Sequence, residues 1–202
     1  ANTAIGASSL TELTSGNHNT AIGRETLKNT TTASQNVAVG AESLKLNTTG
    51  YNTAVGYQAM VSNTTGYDNV ALGRNALDAN TTGLVNTAIG VDALGANTTA
   101  NHNTAVGREA LKNTTTGAQN TSVGNESLKL NTTGGQNTAV GYQAMVSNTT
   151  GTNNVAVGFE TLDSNTTGGN NTAIGREALD FNTTASNNTA VGYAAMNVNT
   201  TG

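Results

Sequence analysis

Few side chains in this chain could do chemistry, and their spacing decides what that chemistry is. His18 and His102 are the only histidines, and each stands directly before an asparagine, Asn19 and Asn103. A metal site needs converging ligands, and these two lie far apart in sequence, so exposed corners are expected instead. Carboxylates recur at Glu25, Glu42, Glu109, Glu126, Glu160 and Glu177, evenly spaced and without clustering. General acid–base work needs a pair converging on one pocket, and an even ladder reads as a solvated edge. Asn-Thr-Thr is formally an acceptor for N-linked sugar, at Asn47, Asn63, Asn80, Asn97, Asn131, Asn148, Asn165, Asn182 and Asn199. The competing reading is a ladder of turn residues, and Thr-rich corners could equally carry O-linked sugar. Phosphate-loop and calcium-binding nonapeptide patterns are missing, and so is cysteine. No catalytic, cofactor-binding or metal-binding residue is expected, and no enzyme.

The even spacing has one source. Asn-Thr-Ala-Ile-Gly at Asn2–Gly6 returns at Asn19, Asn36, Asn52, Asn69, Asn86, Asn103, Asn120, Asn137, Asn154, Asn171 and Asn188, always 17 residues on except from Asn36 to Asn52, where the step is 16. A short fixed period marks a stacked array. The expectation is an all-β parallel β-solenoid (β-roll or β-helix) of twelve 17-residue coils, one coil per repeat. Residues 1–202 then form a single continuous array, read as a segment of a longer chain.

Within a unit, counted from its Asn, position two is Thr or Val, three is Ala (Ser122 once), four is Ile, Val or Leu, and five is always Gly. Alternation along a strand puts positions two and four on one face and three on the other. Two columns are expected to build the core. One is Ile5, Ile22, Val39, Val55, Leu72, Ile89, Val106, Val123, Val140, Val157, Ile174 and Val191. The other, at position nine, is Leu10, Leu27, Leu44, Met60, Leu77, Leu94, Leu111, Leu128, Met145, Leu162, Leu179 and Met196. The alanine column becomes a face for close approach, and the glycine a corner with positive φ or no room for Cβ. Asn-Thr-Thr-Gly is a turn, and the residue missing from the short unit is expected after Gly50.

Helical and disordered readings fare worse. Gly107–Lys112 is helix-friendly but shorter than the roughly 12 residues an isolated helix needs, so at most one turn is expected there. Leu, Ile, Val and Phe make up only about 17% of residues, which is low enough for disorder. Disorder also expects high net charge and no positional discipline, and here the net charge is −4. The absence of proline fits a coil whose N–H groups are used in ladders.

One unit holds two large apolar side chains, too few to fold alone, so the units must stack, and a thin core motivates association of chains. Twelve coils at about 4.8 Å make a rod on the order of 55–60 Å long. Stacking brings Glu25 near Glu42, Lys28 near Lys45, Glu109 near Glu126 and Asp163 near Asp180. Like charges opposite one another repel, so positions six, seven and ten are expected on an exposed edge with opposite charges interleaved. Tyr57–Gly66 recurs unchanged at Tyr142–Gly151, a duplication of a five-unit block.

The Asn-Thr-Ala-Ile/Val-Gly core resembles the head repeats of trimeric autotransporter adhesins, which are left-handed parallel β-rolls. The fuller pattern Asn-Thr-Ala-Val-Gly-x-x-Ala-Leu-x-x-Asn-Thr-Thr-Gly resembles repeat shafts of phage tail-fibre-like and bacterial surface proteins. Such a resemblance implies a structural shaft of an extracellular fibre (adhesin, tail fibre or surface filament), on a cell surface or virion. Implied partners are the chain itself, as a side-by-side trimer or end-to-end filament, and cell-surface glycans reached through a tip domain outside this stretch. No cofactor, nucleic acid or membrane insertion is implied. The alternative is a binding module for glycan or ice, through its Thr/Asn-rich or variable charged edge. Thr-Thr followed by Gly in a turn suits ice less well than Thr-x-Thr on one strand face.

Overall fold

A computed structural model describes residues 1–199. Each unit contributes one three-residue strand: β1 (Thr3–Ile5), β2 (Thr20–Ile22), β3 (Val37–Val39), β4 (Thr53–Val55), β5 (Val70–Leu72), β6 (Thr87–Ile89), β7 (Thr104–Val106), β8 (Thr121–Val123), β9 (Thr138–Val140), β10 (Val155–Val157), β11 (Thr172–Ile174) and β12 (Thr189–Val191). All pair in parallel, in chain order, in one sheet. Equivalent residues face each other, as Thr104↔Thr121 and Val106↔Val123 do. The chain is a parallel β-solenoid, and no helix occurs among the described residues.

The strand is inverted relative to the expectation. Its middle residue points inward: Ala21, Ala38, Ala54, Ala71, Ala88, Ala105 and Ser122 are fully buried. The Ile/Val column points outward. Ile5, Ile22, Leu72, Val123, Val140, Val157, Ile174 and Val191 are exposed, and Val39, Val55, Ile89 and Val106 are half-buried. The reason is volume. A three-residue strand backs onto a narrow interior already filled by position nine, where Leu27 through Leu179 are 0% exposed. Ala fits opposite Leu, and Ile does not. The alanine column is therefore core and offers no face to a second chain. At the two outermost coils the leucine column is less well covered, with Leu10 half-buried and Met196 43% exposed.

The segment after Gly is neither strand nor helix. Positions seven and nine have φ near +50 to +60, as in Glu109 (58°) and Leu111 (51°). Left-handed backbone costs a residue with a Cβ roughly 1–2 kcal/mol. Alternating hand has a compensation: successive N–H groups point up and down the rod. Glu109 donates to Val91 O in one neighbouring coil (2.9 Å), and Leu111 to Ser127 O in the other (3.1 Å). The ladder thus continues round the corner and carries the leucine inward. Glycine at position five is required twice over. Gly23 has φ +137°, and a Cβ there would sit 2.7 Å from the Gly40 carbonyl carbon.

The 16-residue coil omits position fourteen, not a residue after Gly50. Asn36 donates to Thr49 O, 13 residues on, where Asn19 reaches 14 to Ala33 O. Thr49 thus fills the place of Gly or Ala in other coils. Strand register is untouched, since Val37 still faces Thr53.

Candidate functional surfaces

Two columns of asparagine run along the stack, the second one replaced by Leu13, Thr30 and Thr114 in three coils. The Asn that opens a unit is buried from Asn19 onward, and its Oδ1 accepts from the next such Asn's backbone N–H, as Asn69 does from Asn86 (2.9 Å). Its Nδ2 donates across the coil, as from Asn69 to Gly83 O (2.9 Å). The Asn of Asn-Thr-Thr forms the second column: Asn80 Nδ2 donates to Asn63 Oδ1 (2.7 Å) and to the same Gly83 O (3.0 Å). Where both asparagines are present, as in the coils of Asn63 and Asn80, one carbonyl is clamped from both sides. This polar interior supplements a core thin in apolar atoms, because the buried amides are hydrogen-bonded within the stack, with the Asn97 Oδ1 an exception.

The candidate sugar acceptors are corrected by this geometry. Asn47, Asn63, Asn80, Asn97, Asn131, Asn148, Asn165 and Asn182 are 0% exposed. Asn199 is half-buried, with its Nδ2 turned to Asn182 Oδ1. A sugar on Nδ2 would occupy the interior, so the folded coil excludes it. The threonine after the asparagine is used as well from Asn47 to Asn165: its hydroxyl donates to the same residue of the next coil, as from Thr81 to Thr98 O (3.0 Å).

The charged edge follows the interleaving expected from the sequence, along diagonals. Arg24 meets Glu42 (2.6 Å) and Lys45 meets Glu25 (2.6 Å). Five units on, Arg108 meets Glu126 (2.6 Å) and Lys129 meets Glu109 (2.7 Å). Lys45 donates to Glu25 and holds its carboxyl below the usual carboxylate range. Gln58 and Arg24 do the same for Glu42. The aspartates at position ten behave oppositely. Burial, then the charges of Asp180 and Glu160, push the Asp163 carboxyl up to about 6. Burial likewise raises Asp78 and Asp180.

Sequence reasoning did not find two further surfaces. Gly95 replaces a side chain at position ten, leaving a shallow notch of about 380 Å³ among Asn75, Asp78, Asp92 and Lys112. Lys112 Nζ lies 3.6 Å from Asp92 Oδ2 inside it. Along position six, Tyr142 stacks on Phe159 at 5.2 Å, and the Arg176 guanidinium lies over both Phe159 and Tyr193. These rings cover each other's faces, so they line the edge more than they open it. His18 and His102 stay five coils apart, and His18 Nδ1 contacts its neighbour Asn17 Oδ1. Among the described residues no three His, Cys, Asp or Glu side chains converge as metal ligands.

Comparison with protein-family models, with curated proteins and with solved structures finds no match to this chain. The reading of function therefore rests on the stack itself.

Proposed function

We propose that this array is a shaft: a stiff spacer in an extracellular fibre of the adhesin, tail-fibre or surface-filament kind, mechanical and not catalytic. The observation that carries the reading is the polar interior that runs the length of the rod. Strand hydrogen bonds and the opening asparagine column join each coil to the next, and along most of the rod a second asparagine column and a threonine column add to them. Bending such a rod means breaking several of these at once. Stacked repeats contact only their neighbours, so length is set by coil number and function can sit elsewhere on the fibre. The diagonal ion pairs keep one edge wetted without a large single-sign field.

Small-angle scattering of the isolated chain tests this. A rigid rod of about 55 Å is expected from twelve coils at about 4.8 Å, with the same length in low and high salt. A compact or flexible particle ends the shaft reading. The cross-section from the same curves separates one chain from several lying side by side.

A further inference from the structure

The outer face of the sheet is unlike the rest of the surface. Its two columns are position two, Thr in nine strands and Val in three, and position four, Ile, Val or Leu throughout. Of the 20 charged side chains, 18 sit at positions six, seven and ten; the other two, Glu12 and Asp68, lie at positions eleven and seventeen. The strand face therefore carries no charge from end to end.

Its hydroxyls are also free. The threonines after the buried Asn donate to backbone in the next coil. The strand threonines, Thr87, Thr104, Thr121 and Thr138 among them, have no protein partner among the described residues. They lie half-buried on the outside of the sheet. Coil-to-coil rise is about 4.8 Å, and positions two and four are about 6.7 Å apart along a strand. The coil rise is close to the shortest lattice repeat of hexagonal ice. Where Thr gives way to Val (Val37, Val70, Val155), the methyl geometry is kept, because the two side chains have the same shape. Rigidity comes from below, since side-chain ladders of this kind hold a sheet flat.

We propose that this Thr-x-Ile/Val face binds the surface of ice. Hydroxyls and methyls in fixed rows order water into a lattice-like layer that merges with the crystal. Two observations favour this ligand over a second copy of the chain. The face measures about 53 by 10 Å, or roughly 530 Å², short of the about 800 Å² a side of a standard protein interface. A copy docked there would also bury the hydroxyl column away from water, and each unpaired hydroxyl opposes binding. The short coil points to this face rather than the Thr-Thr corner. Its omission breaks the position-fourteen column and leaves the strand columns in register.

The test uses the intact chain in thermal-hysteresis and ice-partition measurements, with sedimentation velocity alongside. The expected result is concentration-dependent hysteresis and uptake into ice. T104K with T138K should lower both several-fold, while T116K with T150K, on exposed threonines of the other face, should leave them unchanged. T104A with T138A removes only hydroxyls and should give an intermediate loss, which covers the case in which the lysine pair disturbs folding by circular dichroism. The proposal is overturned if the folded chain does not engage ice, or if both lysine pairs act alike. It is equally overturned if the chain sediments as an oligomer that T104K with T138K dissociates, since the face then belongs to a second copy.

Discussion

Asn97 marks the one place in its column where the ladder fails, and the reason is a single neighbour. Its Oδ1 is buried without a partner because the next coil carries Thr114 where every other coil from Asn47 onward carries Asn. The Thr114 hydroxyl donates onward to Asn131 O instead (3.2 Å). Thr114→Asn should make the run continuous from Asn47 through Asn182. A buried acceptor left unpaired costs about 1–3 kcal/mol, so the variant should melt at least about 2–4 °C higher, and an unchanged or lower melting temperature in a calorimetric scan would count against the ladder. Titration supplies a second residue-scale prediction. Asp163 is raised to about 6 by burial, then Asp180 and Glu160, so the folded chain binds a proton there before the unfolded chain does. Stability from this site therefore increases as pH falls from 7 through 6 toward the unfolded carboxylate range. Glu25, Glu42, Glu109 and Glu126 are lowered, and their contribution is present above the unfolded carboxylate pKa and lost as pH falls through the folded value. Asp163→Asn should raise the melting temperature at pH 7 by about 1–3 °C, a shift kept small by partial solvent screening, and do little at pH 4.5. Equal effects at both pH values would show that burial of that carboxylate has no thermodynamic consequence.

At the scale of the coil, the inward and outward assignments make opposite predictions for two residues five apart. Leu111 is fully buried, and Leu111→Ala should cost about 2–5 kcal/mol. Val106 stands on the outer face, half-buried, and Val106→Ala should cost well under half as much. Denaturant midpoints of the two variants decide it, and comparable losses would restore the Ile/Val column to the core. This is also where legibility in the sequence ended. The 17-residue period set the architecture, the strand at Asn-Thr-Ala-Ile-Gly and the leucine spine, because stacking equivalent residues is the one way to bury Leu111 on Leu128. Alternation separated the two strand faces, but only the width of the interior says which is inside. The larger side chains suggest the wrong answer, since Leu already fills the space. The left-handed backbone at Glu109 and Leu111 was illegible for a different reason: it is favoured by hydrogen bonds to coils above and below, and local propensity has no knowledge of them. For Asn-Thr-Thr the sequence leaves sugar acceptor and turn ladder side by side, and only the asparagine of the neighbouring coil, which local sequence does not place, favours the ladder.

The whole molecule behaves as a one-dimensional stack, and its register is the quantity that matters. Each coil meets only the coils before and after it, so cooperativity is between neighbours and no contact spans the rod. Removing Asn103–Gln119, one full unit, joins His102 to Asn120 and leaves every column continuous: Asn86 Oδ1 then faces the Asn120 N–H, and Leu94 faces Leu128. The shortened chain should fold, melt within a few degrees of the parent, and lose about 4.8 Å of length in solution scattering. Removing 15 residues from the same place should do far more harm. It would set Asn against Thr in one column and a side chain against the Gly corner, where a Cβ meets backbone of the next coil. The naturally short coil shows why a loss of one residue is tolerated at position fourteen: that position lies outside the sheet, the leucine spine and both asparagine columns, so neighbours close over the gap without changing register. Circular dichroism melts of the 17- and 15-residue deletions, compared side by side, test the principle directly. Equal stability of the two would mean that the columns do not hold the rod together.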